Sequence, residues 1–170
     1  MTCVQWSPNG KYLAAGGYVR DTGKGVVRVW DEQTGQEVST YWGHNKPVNA
    51  LAWLPDNQRI ASASDDATVQ IWRVATGKQL FTYRGHTRRV NTLSLTETND
   101  GKSLIASGSD DQTVQVWNAE TGQLSFTHDQ GQAVTALTWD PSGAWIASGS
   151  HDGVIDYYWG VENPLFLPGL

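Results

Sequence analysis

The chain has 170 residues, 39% of them hydrophobic and only 17% charged, and its 18 glycines and nine tryptophans favour a turn-rich β protein. The net charge of -5 argues against a nucleic-acid partner, which needs a basic surface, and the single cysteine excludes an internal disulfide. The chain shows neither a signal peptide nor an apolar run near the ~18 residues of a membrane span. We therefore expect a cytoplasmic protein without a membrane partner.

One pattern of strand, turn and strand recurs four times along the chain. In order its copies are LAAGGYVRDTGKGVVRVW (13–30), IASASDDATVQIW (60–72), IASGSDDQTVQVW (105–117) and IASGSHDGVIDYY (146–158). Their last residues are Trp30, Trp72, Trp117 and Tyr158, which gives a period of about 40–45 residues. This period, with four short strands per unit, predicts an all-β protein built from four-stranded antiparallel propeller blades.

Alternating hydrophobic residues and turn residues predict the strands of each unit. The predicted strands are 2–6, 12–15, 26–30 and 37–42 in unit one; 48–53, 59–63, 68–72 and 79–83 in unit two; 90–95, 103–108, 113–117 and 124–128 in unit three; and 134–139, 145–149 and 154–158 in unit four. Unit one has a swollen second turn, and Pro164 and Pro168 weaken the fourth strand of unit four. We place the blades at approximately 1–42, 43–84, 85–128 and 129–170.

The order Gly-His, Ser, Asp, Trp in units two and three resembles the WD-repeat β-propeller family, and the resemblance covers about residues 1–159. In that family these side chains form a hydrogen-bonded tetrad inside each blade. The resemblance implies two such tetrads, His44, Ser62, Asp66 and Trp72 in unit two and His86, Ser107, Asp111 and Trp117 in unit three. Unit four departs from the pattern, with Gln130 in the His position and Tyr158 in the Trp position.

A structural role for these tetrads also follows from chemistry. A buried indole N–H needs an acceptor, a hydroxyl provides one, and an imidazole between hydroxyl and carboxylate satisfies both. Ser64 lies on the same strand face as Ser62, so the choice between them depends on the resemblance. A catalytic Ser-His-Asp reading is less favoured, because every blade needs the set for its own packing. The four histidines fall in different units, so we expect neither a metal site nor a cofactor.

The resemblance also implies a contact surface at the narrow top face of the propeller. In the family, this face is formed by residues around the start of the first strand and by the residue before the turn Asp. The corresponding candidates for partner binding are Asn49, Asp65, Arg89, Asn91, Asp110, Thr135 and His151. They predict a non-catalytic scaffold that binds a protein or peptide. The alternatives are a ligand-binding or enzymatic propeller that uses its central channel, and a structural segment of a larger multidomain protein.

The number of units in the sequence does not by itself determine how the propeller ring closes. Four blades in an open array leave an apolar sheet face uncovered at each end, and repeat arrays need their ends covered. The chain is therefore a part of a larger propeller, a half-ring that pairs with a second copy, or a small ring. Its start at a strand and its eroded last unit favour the larger propeller.

Overall fold

A computed structural model describes residues 1–159, which form four antiparallel sheets of consecutive strands. The predicted all-β propeller fold is confirmed. Blade 1 contains β1 (Cys3–Trp6), β2 (Tyr12–Tyr18), β3 (Gly25–Asp31) and β4 (Glu37–Tyr41). Blade 2 contains β5 (Val48–Trp53), β6 (Arg59–Ser64), β7 (Val69–Arg73) and β8 (Lys78–Tyr83). Blade 3 contains β9 (Val90–Glu97), β10 (Ser103–Ser109), β11 (Thr113–Asn118) and β12 (Leu124–Asp129).

Blade 4 contains β13 (Val134–Trp139), β14 (Trp145–Ser150) and β15 (Ile155–Trp159). The weak fourth strand that the sequence predicts for this unit lies outside the described residues. A single 3-10 turn, Val74–Thr76, follows β7 and is the one helical element within residues 1–159. No helix in this described part is long and apolar enough to cross a membrane.

Turn chemistry explains why the strands follow one another as hairpins. Ala67 and Gln112 adopt positive φ values of 67° and 74° directly after the pairs of aspartates that follow β6 and β10. Asp66 Oδ1 and Asp111 Oδ1 each accept a hydrogen bond from the backbone N–H two residues later in the chain, Thr68 and Thr113, at 3.0 Å. An aspartate that bonds its own turn in this way is a common device for reversing the chain.

The swollen turn predicted in unit one is instead a longer hairpin. The strands β2 and β3 extend to Tyr18 and Gly25, which pair with each other, and Val19 N donates to Lys24 O at 2.9 Å. Gly25 permits this extension, because a Cβ atom there would lie 2.3 Å from the carbonyl oxygen of Lys46 in the next blade. The extra residues therefore lengthen the sheet rather than form an irregular loop.

The hydrophobic core lies between blades. We call the face of a blade that meets the preceding blade its front face and the other its back face. Each of three buried clusters joins one back face to the next front face. The main contributors are Val27 and Val29 against Ile60 and Trp72, Val69 and Ile71 against Ile105 and Trp117, and Ala106 and Val116 against Trp139 and Ile146.

Candidate functional site

The tetrad of blade 3 forms a continuous chain of hydrogen bonds. The indole N–H of Trp117 donates to Ser107 Oγ at 3.2 Å, and this oxygen lies 2.8 Å from His86 Nε2. His86 Nδ1 lies 2.8 Å from Asp111 Oδ2. When Nδ1–H is donated to the carboxylate, Nε2 is the acceptor for the serine hydroxyl, so one neutral tautomer satisfies every member.

The carboxylates at the end of these chains are stabilised in their charged form. Burial by itself would raise the pKa of Asp111, but hydrogen bonds from His86, Thr113 and the backbone of Thr87 outweigh it and lower the pKa. Burial likewise acts to raise the pKa of Asp66, and its bonds with His44 and Thr68 reverse the shift. Each aspartate therefore anchors its turn and its histidine as an anion.

Blade 2 shows two of the three contacts that link the tetrad of blade 3. His44 Nδ1 lies 2.8 Å from Asp66 Oδ2, and His44 Nε2 lies 2.9 Å from Ser62 Oγ, which supports Ser62 over Ser64 as the partner. Ser64 Oγ instead donates to Lys46 O at 3.0 Å. The indole N–H of Trp72 has no hydrogen-bond partner within the described residues. In this blade His44 Nε2 also lies 3.1 Å from the carbonyl oxygen of Ser62, a contact that His86 does not make with Ser107 in the described part of blade 3.

In blade 4 a hydrogen-bonded set of three residues stands in place of the tetrad. Ser148 Oγ donates to Gln130 Oε1 at 2.5 Å, and Tyr158 OH donates to Ser148 Oγ at 3.2 Å. Burial raises the pKa of Tyr158 to about 12, so its hydroxyl is a donor at neutral pH. Gln130 and Tyr158 thus occupy the positions that the sequence assigned to them.

The Ser-His-Asp geometry of blades 2 and 3 has no access to substrate. Ser62 and Ser107 are both 0% exposed, and Ser107 Oγ already accepts the Trp117 N–H. A nucleophile must reach a substrate atom, and these hydroxyls are enclosed by the blade itself. Within residues 1–159, no group of three or more His, Cys, Asp or Glu side chains is placed to hold a metal ion.

Two of the candidate contact residues connect neighbouring blades. Asn49 Nδ2 donates to Asp65 Oδ1 at 2.7 Å and to the carbonyl oxygen of Val90 in blade 3 at 2.9 Å. Asn91 Nδ2 donates to Asp110 Oδ1 at 2.7 Å and to Val134 O in blade 4 at 2.8 Å. We call each such bond to the next blade an interblade clasp. Asn49 and Asn91 are therefore half-buried structural groups as well as members of the rim.

A β-bulge sets the orientation of these side chains. In β5, Val48 and Ala50 pair with the adjacent residues Ser64 and Ala63, which leaves Asn49 as the extra residue. The register shifts of β9 and β13 leave Asn91 and Thr135 in the same position. A bulge bends its strand and redirects the side chain of the extra residue. The sequence signal for it is a polar residue directly after Val48, Val90 and Val134.

The remaining candidates lie at the same edge, and Arg89, Thr135 and His151 among them are exposed. The guanidinium of Arg89 donates through Nε to Asp110 Oδ2, and its side chain is 55% exposed. Thr135 Oγ1 donates to Gly149 O at 3.2 Å, and His151 is exposed while its backbone N–H bonds Ala133 O at 3.0 Å. Asp65 and Asp110 make the equivalent backbone bonds to Pro47 O and Arg89 O. The structure thus brings Arg89, Asn91 and Asp110 into contact, and Asn49 and Asp65 into a second group.

Aromatic contacts across the junctions were missed at the level of sequence. Tyr41 stacks on Trp72 of the next blade with ring centroids 4.6 Å apart, and its hydroxyl donates to Gln70 Oε1 at 2.6 Å. Tyr83 does the same with Trp117 and Gln115, at 4.3 Å and 2.7 Å. At the third junction the trio is His128, Tyr158 and Asp156, with a stacking distance of 4.1 Å and an Nε2–Oδ2 distance of 2.9 Å. The sequence feature that could have indicated the first two of these contacts is a Gln two residues before each of Trp72 and Trp117.

These sheets, with their cores between blades and their buried tetrads, define a β-propeller repeat protein. The model of the family "WD domain, G-beta repeat" matches residues 1–31, 35–73, 77–118 and 122–156. The chain belongs to the WD-repeat family.

Similar proteins match parts of the chain. A WD repeat-containing protein of Schizosaccharomyces pombe is 42% identical over 41 residues, which is 24% of this chain and 10% of that protein. Protein HIRA of Zea mays is 32% identical over 81 residues, 41% of this chain and 8% of its own length. Periodic tryptophan protein 2 of Arabidopsis thaliana is 38% identical over 69 residues, 41% of this chain and 7% of its own length. The chain therefore aligns with about a tenth or less of each of these relatives.

Proposed function

We propose that the chain is a non-catalytic scaffold that binds a protein or peptide at the rim formed by Asp65, Arg89, Asp110, Thr135 and His151. The observation that carries the proposal is the Arg89–Asp110 pair, in which Arg89 directly precedes the bulged strand β9 and Asp110 lies in the turn after β10. More than half of the Arg89 side chain stays exposed. An exposed guanidinium on a rigid support forms bidentate bonds to a carboxylate at little entropic cost.

The distribution of charge indicates what such a partner offers. Arg88 and Arg89 are adjacent and exposed, whereas Asp65 and Asp110 are partly used by Asn49 and Asn91. The free hydrogen-bonding capacity at this edge therefore belongs mainly to the arginines. An acidic side chain or a free carboxylate in an extended peptide fits these donors.

Burial of the tetrad hydroxyls supports a binding role rather than catalysis. Membership of the WD-repeat family, with its repeated rigid blades, supports the same function. The single cysteine supports our further proposal of a cytoplasmic location, where thiols remain reduced.

A displayed random-peptide library tests the proposal directly. We expect the chain to enrich peptides with acidic residues, and Arg89→Glu to weaken their binding by about tenfold or more, as loss of a charged hydrogen bond predicts. Arg73→Glu is the matched control, because Arg73 is also exposed but ends β7 at the opposite edge of the blade. Failure to enrich any peptide, or equal binding by both variants, would contradict the proposal.

A further inference from the structure

A cleft opens at the first junction, between blades 1 and 2, at the edge of the blades opposite the rim. It has a volume of about 250 Å³ and lies beside β4 and the 3-10 turn Val74–Thr76. Its lining is mainly apolar and comes from both blades: Tyr12, Val38, Asn57, Gln58, Val74 and Ala75. We call it the junction cleft. It lies within the array, so neither of the uncovered end faces contributes to it.

The other two junctions contain an aromatic ring that the first junction lacks. The register position of Ser39 in β4 is held by Phe81 in blade 2 and by Phe126 in blade 3. These two rings meet the next blade, where their centroids lie 6.2 Å from that of Trp117 and 5.8 Å from that of Tyr158. Ser39 has no ring, so the back face of blade 1 makes no such aromatic contact at this position.

Two equivalent turn glycines show the space that the ring occupies. A Cβ atom at Gly122 of blade 3 would lie 2.1 Å from Cζ of Phe81, so the ring fills the space beside this turn. At Gly77 of blade 2, a Cβ atom would meet, among the described residues, only the carbonyl oxygen of Thr40, at 3.4 Å. Gly77 directly follows the 3-10 turn that borders the junction cleft. The place of the ring is therefore open in the first junction.

An ion pair connects the second junction at the positions that line the junction cleft in the first. Arg59 Nη1 lies 2.7 Å from a carboxylate oxygen of Glu120 in blade 3. The residues at these two positions in the first junction are Tyr12 and Ala75. Neither side chain carries a charge, so no ion pair can bridge the cleft there.

The strand beside the junction cleft indicates the form of a ligand. β4 is the last strand of its sheet and pairs with β3 on one side within the described structure, and it contacts the 3-10 turn of blade 2. A free strand edge pairs with an extended peptide, whose successive side chains point to opposite faces of the sheet. Those on the back face of blade 1 would point towards the cleft.

The size of the junction cleft limits what it can hold. Its volume of about 250 Å³ is below the ~300–1,000 Å³ of pockets for drug-sized molecules. A single large side chain fits this space better than a complete small-molecule ligand does. The rings of Phe81 and Phe126 at the equivalent positions indicate that this side chain is aromatic.

We propose that the junction cleft is a second docking site, which binds a phenylalanine side chain of an extended peptide segment in a partner protein. The ring takes the place that Phe81 fills in the second junction, and the peptide backbone pairs with the free edge of β4. This site lies at the edge opposite the rim, and the inference does not depend on the function proposed for the rim.

An NMR titration with two blocked pentapeptides, Thr-Thr-Phe-Thr-Thr and Thr-Thr-Ala-Thr-Thr, tests the proposal. We expect the phenylalanine peptide to bind at least ~10-fold more tightly than the alanine peptide, because it buries an aromatic ring. Its binding should shift the amide resonances of β4, Val74 and Ala75. Equal binding of the two peptides, or shifts confined to other parts of the chain, would overturn the proposal.

Two substitutions distinguish the junction cleft from other apolar surfaces. Ser39→Phe supplies the missing ring from the chain itself, and Val38→Asp places a charge beside the bound ring. Each should weaken binding of the phenylalanine peptide at least ~10-fold. Leu80→Asp is the matched control, because Leu80 is 42% exposed at the same bulge position in blade 2, where Val38 is 44% exposed in blade 1.

Circular dichroism and thermal unfolding verify the fold of each variant, and the exposed position of Val38 keeps the test available if Ser39→Phe does not fold. Arg89→Glu, which tests the rim, should leave binding of these neutral peptides unchanged. A loss of binding with Leu80→Asp or Arg89→Glu as large as that with Val38→Asp would reject the junction cleft as the site. Unchanged binding by a folded Ser39→Phe variant would reject it as well.

Discussion

Trp117 and Trp72 occupy the same position in neighbouring blades, but their indole N–H groups differ. Trp117 Nε1 donates to Ser107, while Trp72 Nε1 is buried without a partner in the described structure. Replacement by phenylalanine removes a made hydrogen bond at one site and an unpaired donor at the other. We expect Trp117→Phe to lower the free energy of unfolding by ~1 kcal/mol more than Trp72→Phe does.

Chemical denaturation of the two variants measures this difference. Each variant is the control for the other, because both rings are fully buried and each stacks on a tyrosine. Equal losses would show that the bond to Ser107 contributes nothing to stability. Trp117→Ala should cost considerably more, ~3–5 kcal/mol, since it leaves a large cavity.

Asp111 makes the free energy of unfolding depend on pH in the acidic range. Its pKa is lowered in the folded chain, so the folded state holds the carboxylate charged more strongly than the unfolded state does. The resulting stability is present above the ordinary pKa of 3.8 and is lost as pH falls through the lowered value. We expect Asp111→Asn to be destabilising at pH 7 and its difference from the unmodified chain to shrink below about pH 4.

Urea unfolding across this pH range follows the effect. Asp21→Asn is the control, because Asp21 is exposed in the turn of the blade 1 hairpin. A difference between Asp111→Asn and the unmodified chain that is constant with pH would refute the role of the charged carboxylate.

Hydrogen bonds between tetrad side chains were easier to predict from the sequence than hydrogen bonds from side chains to backbone carbonyl groups. The resemblance to the WD-repeat family implied His44, Ser62 and Asp66 as partners, and the structure places them in contact. The second role of Asn49 was not predictable in this way, because its acceptor in blade 3 is the backbone carbonyl of Val90. A carbonyl group carries no sequence signature, so this contact depends on how adjacent blades pack.

The interblade clasps are made from the first strands of blades 2 and 3. Asn91 satisfies both Asp110 and the carbonyl oxygen of Val134 from its bulged position. Asn91→Ala removes both bonds at once, and we expect a loss of ~1–3 kcal/mol in the free energy of unfolding. Faster amide hydrogen exchange in β13 should accompany it, because blade 4 loses a connection to blade 3.

Asn99→Ala provides the comparison for this variant, since Asn99 is exposed in the turn after β9. Unchanged exchange in β13 of Asn91→Ala would indicate that apolar packing alone holds blade 4. The bulge itself escaped the sequence analysis, because a bulge differs from a regular strand by one unpaired residue and leaves the alternation of Val90 and its neighbours almost intact.

At the scale of the whole molecule, stability should be highest in the middle of the array. Blades 2 and 3 have neighbours on both faces, whereas blade 4 exposes Ile155 and Tyr157. In repeat proteins each unit is stabilised mainly by its immediate neighbours, so end units open first. We expect amide hydrogen exchange to be slowest in β6 and β10 and fastest in β1 and β15.

Native-state exchange at a protein concentration too low for self-association measures this gradient. The ladder pairs Ile60 with Trp72 and Ile105 with Trp117, so these central amides report the most protected region. Uniform exchange across all four sheets would mean that the array opens as one cooperative unit.

The trio of residues at the third junction differs from the trios at the first two junctions. Tyr41 and Tyr83 are matched to a tryptophan and a glutamine, whereas His128 is matched to Tyr158 and Asp156. A duplicate of blade 2 inserted after blade 2 would find compatible neighbours on both sides. The same duplicate inserted after blade 3 would place His128 against Trp72 and Tyr83 against Asp156. The contact faces thus determine which blades can follow one another. A rearranged array must keep the three residues of each junction together.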